Sequence, residues 1–297
     1  MKRIKWFLEA ALVMVFAVPF AILPMAVALK AGDLLGFLAY ALWGSRRRIA
    51  IENVEKAVQA GGLKIDRPPS VIVRKSLMNL GRSLVEIVKI YFGLGRGIID
   101  SMEVRGFDNY LNAKAKGKGI IFITGHCGNW ELTALGFGDR VAPIAVIARA
   151  QNNPYLNKLV EKARARYGNT IIYKQGALMA VLSELRNNGM VGILMDQAVL
   201  PEEGYIVDFL GRGAWTTKIP ALLARKRGAA VLPAFLHREG GRYIGTIYPD
   251  VPLSREPDED KALIEDTKTF SSYIENYIRE HPAEWLWIHR RWKRVPE

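Results

Sequence analysis

One cysteine and four histidines in 297 residues leave little room for several kinds of chemistry. The lone Cys127 excludes an internal disulfide and any cysteine-based zinc site, and it leaves the compartment open. His237, His281 and His289 stand at no metal-ligand spacing and read as structural, so neither a metal nor a cofactor is expected. Internal repeats and low-complexity segments are absent. Negative charge is the other shortage: 29 acidic against 42 basic residues give a net charge of +13 and a pI near 9.8. That balance calls for an anionic partner, and composition alone does not choose among nucleic acid, a phospholipid surface and a phosphorylated substrate. Half of the residues are hydrophobic, enough for one large α/β core with little left for a second domain.

Charge is missing altogether from Ala10 to Leu29, which follows the basic start Met1-Lys2-Arg3-Ile4-Lys5. At about 1.5 Å per helical residue this run is long enough to cross a bilayer core. Pro19 and Pro24 predict a kink, so a bent or re-entrant helix competes with a straight span. A signal peptide with Ala26-Val27-Ala28 as its cleavage site is a third reading. Basic residues lie on both sides, with Arg46-Arg47-Arg48 beyond the run, and both groups belong on the cytoplasmic side. A hairpin using Leu34 to Trp43 as its return arm, or a helix in one leaflet, satisfies both. Residues 1–45 are therefore expected to form a membrane anchor and 46–297 a single α/β domain.

Helices are predicted over Arg48–Ala60 and Val71–Tyr91, with the turn-rich Gly61-Gly62 and Pro68-Pro69 between them. A short helix is expected from Asp108. Candidate strands at Ile120–Thr124, Ile144–Ala148, Thr170–Tyr173, Val191–Met195, Ala230–Leu236 and Tyr243–Tyr248 alternate with helices near Pro154–Tyr167, Ala177–Asn187 and Thr216–Arg227. Alternation of this kind predicts a mostly parallel sheet covered by helices.

Chemistry concentrates in Gly125-His126-Cys127-Gly128-Asn129-Trp130-Glu131, which follows the strand Ile120–Thr124. Asn129 is placed to cap a helix opening at Trp130. On a continuous helix His126 and Glu131 would stand roughly 140° apart. With His126 in the loop, the imidazole can fold back over the carboxylate, which would fix its tautomer and raise its basicity. Backbone N–H groups near Gly125 and Gly128 lie where an oxyanion site is usual. On spacing alone the pair reads equally as a loop histidine and a first-turn acid. Cys127 reads as a packing residue, with no triad partner nearby.

Further along, Arg149, Asn153-Pro154 and Arg164-Ala165-Arg166 read by themselves as a solvated basic face, and Asp196-Gln197 ends a buried strand either as a helix cap or at a ligand-binding edge. The tail Trp285-Leu286-Trp287-Ile288-His289-Arg290-Arg291-Trp292-Lys293 interleaves indoles with bases, a mixture suited to a lipid headgroup layer or to stacking on nucleic-acid bases.

Gly-His-Cys-Gly-Asn-Trp-Glu resembles the His-x4-Glu block of the lipid A late acyltransferases, a branch of the glycerolipid acyltransferase superfamily. The Arg149 to Arg166 segment, Asp196-Gln197, Phe209 to Thr217 and the tail resemble that family in the same order, from about Arg46 to Lys293. Lys218-Ile219-Pro220 departs from it where a glycine is usual. The resemblance implies an O-acyltransferase that moves a fatty acyl chain from an acyl carrier protein thioester to a hydroxyl of a lipid A precursor. The place implied is the cytoplasmic face of the Gram-negative inner membrane. It implies His126 as general base, Glu131 as its orienting partner, and Arg149, Arg164, Asp196 and Arg212 around a phosphorylated acceptor, with Asp196 able to pair with Arg164. The alternatives are a lysophospholipid, glycolipid or other lipid acceptor, and a membrane lipid-binding protein without catalysis. Nucleic acid is the poorest partner, because the basic residues flank apolar runs.

Overall fold

Residues 2–173 and 176–295 are described by a computed structural model. At its centre lies β2 (Ile120–Thr124), whose side chains alternate between two cores. Ile121 and Ile123 point into one hydrophobic cluster and Ile120 and Phe122 into the other, as the period-two geometry of a strand dictates. A run of β-branched and aromatic residues without polar alternation is what a strand covered on both faces requires.

Around β2 the sheet is assembled from β1 (Met102–Arg105), β3 (Ala145–Ala148), β4 (Thr170–Tyr173), β5 (Met190–Leu194), β8 (Ala230–Glu239) and β9 (Arg242–Ile247). Its order is β1-β9-β8-β2-β5-β3-β4, and β8–β9 is its one antiparallel pairing among the described residues. The fold is thus the mostly parallel, helix-covered sheet that the alternation predicts. A separate hairpin, β6 (Gly204–Phe209) with β7 (Arg212–Thr217), was not foreseen. It takes Thr216 and Thr217 out of the expected helix, so α10 begins at Ile219 and runs to Arg227. Also unforeseen are β1 and α11 (Glu259–Glu280), the latter opened by Asp258, whose carboxylate accepts from the Lys261 N–H.

The apolar N-terminus forms two helices, α1 (Lys2–Ile22) and α2 (Met25–Leu42). The chain passes through Pro19 and breaks at Leu23-Pro24, where the extended backbone of Pro24 (φ −53°, ψ 145°) starts the second helix. Lys89 of α4 (Pro69–Tyr91) reaches the break and donates to the carbonyls of Ala21 (2.7 Å) and Leu23 (2.6 Å), groups that the end of α1 leaves without helical partners. α2 lies directly on α4 because Gly32, Gly36 and Gly81 carry no side chain at the crossing. A Cβ at Gly36 would stand 2.2 Å from the Leu77 carbonyl. Arg82 of α4 then forks onto Asp33 of α2. The outward faces are strongly apolar: Phe7, Leu8, Leu12, Val15 and Phe16 on α1 and Leu34, Phe37, Leu38 and Leu42 on α2 are exposed.

Candidate active site

His126 and Asp196 meet because of strand register. β2 and β5 run parallel with Thr124 opposite Leu194, and the Met195 N–H donates to the Thr124 carbonyl at 3.0 Å. Two residues beyond each strand, the chains therefore deliver His126 and Asp196 to the same point at the carboxyl edge of the sheet, where open α/β sheets bind ligands. The ring Nδ1 of His126 lies 2.8 Å from Asp196 Oδ1, and the backbone N–H of His126 donates to Oδ2 at 2.9 Å. Gly125 makes room for this: a Cβ there would stand 3.2 Å from the Asp196 carboxyl carbon and 2.9 Å from Ile274.

Asp196 is 1% exposed and carries a third bond, from Trp285 Nε1 at 2.8 Å. Burial would raise the carboxyl's pKa, but the His126 charge and the bonds from His126 and Trp285 outweigh it and hold the pKa well below the usual carboxylate range. For His126 burial pushes the pKa down, while the charge and hydrogen bond of Asp196 push it up and prevail. With Nδ1–H donating to Asp196, Nε2 is the basic nitrogen, and its neighbour is the Gln197 side-chain amide nitrogen at 3.2 Å. The Trp130 ring meets the imidazole edge-on, centroids 5.2 Å apart. The histidine side chain keeps 21% of its surface exposed, so the base is reachable.

The C-terminal tail builds the other wall. Glu284 to Leu286 pair antiparallel with the histidine loop: the Gly128 N–H donates to the Glu284 carbonyl at 2.7 Å and the Leu286 N–H to the His126 carbonyl at 3.1 Å. Trp285 and Trp287 are each 1% exposed and Arg291 is fully buried, stacked over Phe209 and donating to the Trp215 carbonyl. Ser76 and Asn79 of α4 and Asn53 of α3 (Gly44–Gln59) hold the tail by its backbone carbonyls. The expected headgroup or nucleic-acid role of Trp285, Trp287 and Arg291 is therefore corrected: they are interior. The oxyanion role expected of the Gly128 amide is corrected too, since a carbonyl already occupies it; φ of +52° at Gly128 places it there.

Glu131 does not meet the imidazole. It opens α7 (Trp130–Arg140), capped by Asn129, which accepts from the Leu132 N–H at 3.1 Å. Asn129 in turn donates to the buried Glu86 of α4 at 2.9 Å. In that setting Glu131 faces α4 and α8 (Pro154–Arg166): Arg164 forks onto both carboxylate oxygens at 2.7 and 2.8 Å, and the Tyr91 hydroxyl donates to Oε1 at 2.7 Å. The expected pairings of Glu131 with His126 and of Arg164 with Asp196 are thus exchanged, because strand register, not sequence proximity, places Asp196 against the ring. Arg149 is exposed just beyond β3, at the same carboxyl edge. Arg212 opens β7 with its guanidinium over the Trp292 ring, and contacts none of His126, Glu131, Arg164 and Asp196 among the described residues. Cys127 is buried, and burial pushes its thiol pKa well up, which suits packing.

A family model described as bacterial lipid A biosynthesis acyltransferase matches residues 3–294. The chain belongs to that family. It is 27% identical over 280 residues to a lipid A biosynthesis lauroyltransferase of Escherichia coli, covering 93% of this chain and 88% of that protein. It is 26% identical over 215 residues to a lipid A biosynthesis acyltransferase of Haemophilus influenzae, covering 68% of this chain and 64%, under two thirds, of that protein. A phosphatidylinositol mannoside acyltransferase of Mycobacterium tuberculosis is 26% identical over 229 residues, covering 75% and 71%.

In this lipid A acyltransferase family member, an apolar cleft opens against Trp130, the residue whose ring meets the imidazole. Some 410 Å³ of space, part of it open to solvent, lies there between α7 and the sheet, with Trp130 and Thr124 at the histidine end and Phe137 and Ile144 at the far end. Sequence reasoning missed Gln197 beside the ring and Trp285 as a holder of Asp196. For Gln197 the signal was present, since it follows Asp196 at a strand end. For Trp285 there was none, because only the folded tail brings it within reach.

Proposed function

We propose that this acyltransferase moves a fatty acyl chain from an acyl carrier protein thioester to a sugar hydroxyl of a lipid A precursor. The observation that carries the reading is the His126–Asp196 pair at 2.8 Å, which leaves Nε2 as the basic nitrogen, with only the Gln197 amide for a neighbour and Trp130 between the ring and an apolar cleft. His126 Nε2 takes the proton of the acceptor hydroxyl as its oxygen attacks the thioester carbonyl. The tetrahedral oxyanion collapses, the C–S bond breaks, and the thiolate leaves with the proton from His126. Asp196 fixes the tautomer and stabilises the imidazolium. The Gln197 amide and the backbone N–H of Gly125 are the oxyanion donors, since the Gly128 amide is engaged by Glu284. Glu131, with Arg164 and Tyr91, forms the polar wall on the α8 side, and the exposed Arg149 receives the acceptor's phosphate. Arg212 serves at a distance, on the basic surface that meets an acidic carrier protein.

Residues 1–45 act as the membrane anchor of the α/β domain 46–297, at the cytoplasmic face of the inner membrane. The apolar outward faces of α1 and α2 support this. The mannoside-acylating relative favours a second reading in which the acceptor is another phosphorylated glycolipid. Full-length protein in mixed micelles, given dodecanoyl carrier protein and either acceptor, separates the two by mass spectrometry of the lipid product. Ester on the lipid A precursor alone supports the first reading, and ester on the mannoside alone the second. Turnover with the coenzyme A thioester and none with the carrier protein would replace the donor.

A further inference from the structure

The cleft next to Trp130 has one missing side chain in its floor. On the face of the sheet that α7 covers, Phe122, Gly192 and Val146 stand side by side in register on β2, β5 and β3. Phe122 and Val146 fill their places, and Gly192 leaves its own empty. A Cβ built on Gly192 would meet only Ile144, at 3.4 Å, an ordinary contact, with no other atom within 4 Å. From the opposite side α7 presents Trp130, Thr133, Ala134 and Phe137, the spacing of one helical face. From Trp130 to Phe137 that face advances roughly 10 Å, and the cleft ends there against Phe137 and Ile144.

We infer that Gly192 sets the acyl-chain length this protein accepts. The chain enters past Trp130, its middle methylenes lie over the bare backbone of Gly192, and its methyl end stops at Phe137 and Ile144. This deepens, and rests on, the reading of the protein as an acyltransferase. A short chain never reaches position 192, whereas a longer one must occupy it. A side chain there penalises donors in order of length, with roughly a fourfold loss for each methylene displaced from apolar surroundings.

The test compares decanoyl, dodecanoyl, tetradecanoyl and hexadecanoyl carrier protein as donors for wild type, Gly192→Ala and Ala134→Val, with melting temperatures to certify the fold. Ala134→Val narrows the same cleft from the helix side and serves if the strand variant fails to fold. Dodecanoate binding is measured in parallel by calorimetry. The expected result is a tenfold or greater fall in kcat/KM for the longest accepted donor relative to decanoyl, with the decanoyl value within about threefold of wild type and dodecanoate affinity lowered. An unchanged length profile in a folded Gly192→Ala protein overturns the inference, as does an equal loss on every donor. If wild type transfers no donor yet binds dodecanoate, and Gly192→Ala weakens that binding, the acyltransferase reading fails while the cleft remains an alkyl-chain site.

Discussion

Two carboxylates that the sequence singles out have taken different partners in the fold. Asp196 is buried, held by three bonds from His126 and Trp285, and faces an imidazole. Glu131 is held by a guanidinium fork and a tyrosine hydroxyl. The first arrangement raises the pKa of an imidazole, and the second neutralises one fixed charge with another. Proximity in the chain pointed to Glu131. Register in the sheet selected Asp196.

The largest effect is expected at the shared centre of this comparison. His126→Ala removes the base and little of the core, so acyl transfer falls by about 10²- to 10⁴-fold with the melting temperature nearly unchanged. A loss smaller than tenfold in a steady-state assay removes His126 from the chemistry and makes the two carboxylates equivalent bystanders.

Asp196→Asn comes next, with a loss of at least about a hundredfold, and its pH profile divides the two carboxylates. The active form holds His126 neutral, so the wild-type rate drops as pH falls through a His126 pKa raised above the ordinary value near 6.5. With the aspartate charge gone, burial dominates, the His126 pKa falls, and the acid limb moves to lower pH. Glu131→Gln is expected to leave that limb in place. A limb that moves with Glu131→Gln and not with Asp196→Asn reverses the assignment.

Arg164→Ala tests the other side. It strands a mostly buried Glu131, at an expected cost of about 3 kcal/mol in a denaturant titration, the low end for a buried pair because Tyr91 still donates to the carboxylate, and it raises the KM for both substrates. A rise confined to the acceptor, without loss of stability, makes Arg164 a phosphate ligand instead of the partner of Glu131. Trp285→Phe keeps an aromatic ring, smaller than the indole, and removes one donor to a buried charge, so at least about 1.5–3 kcal/mol of stability and roughly tenfold in kcat are expected to go. Cys127→Ala is the smallest, about 1 kcal/mol in stability and less than twofold in rate, because the thiol is a packing group beside the histidine. A dead but folded Cys127→Ala protein would shift the chemistry to a thiol.

Legibility in the sequence followed the range of the interaction. The strand Ile120–Thr124, the Asn129 cap and the helices Val71–Tyr91 and Pro154–Tyr167 each follow from residues within one turn or one strand of each other, and they stand within a residue or two of expectation. The apolar N-terminus and the tryptophan-rich tail carry similar composition: apolar or aromatic residues next to bases. One is exposed on α1 and α2, and the other is threaded behind the histidine loop. Composition assigns both to a lipid interface, because a buried indole and an interfacial one have the same chemistry. Neighbours, not residue type, tell them apart.

By itself the sequence determined a sheet of buried parallel strands, a glycine-flanked histidine at the carboxyl end of one of them, and a capped helix after it. These depend on hydrophobic period, glycine and capping, which act over a few residues. The tertiary structure alone decided that Asp196 and not Glu131 faces the imidazole, that Trp285 completes the pair, and that Gly192 lies under the cleft. Each of these joins residues tens of positions apart through strand register and the path of the tail. That register is fixed by the packing of two cores at once, a property of the whole sheet that no local stretch of chain contains.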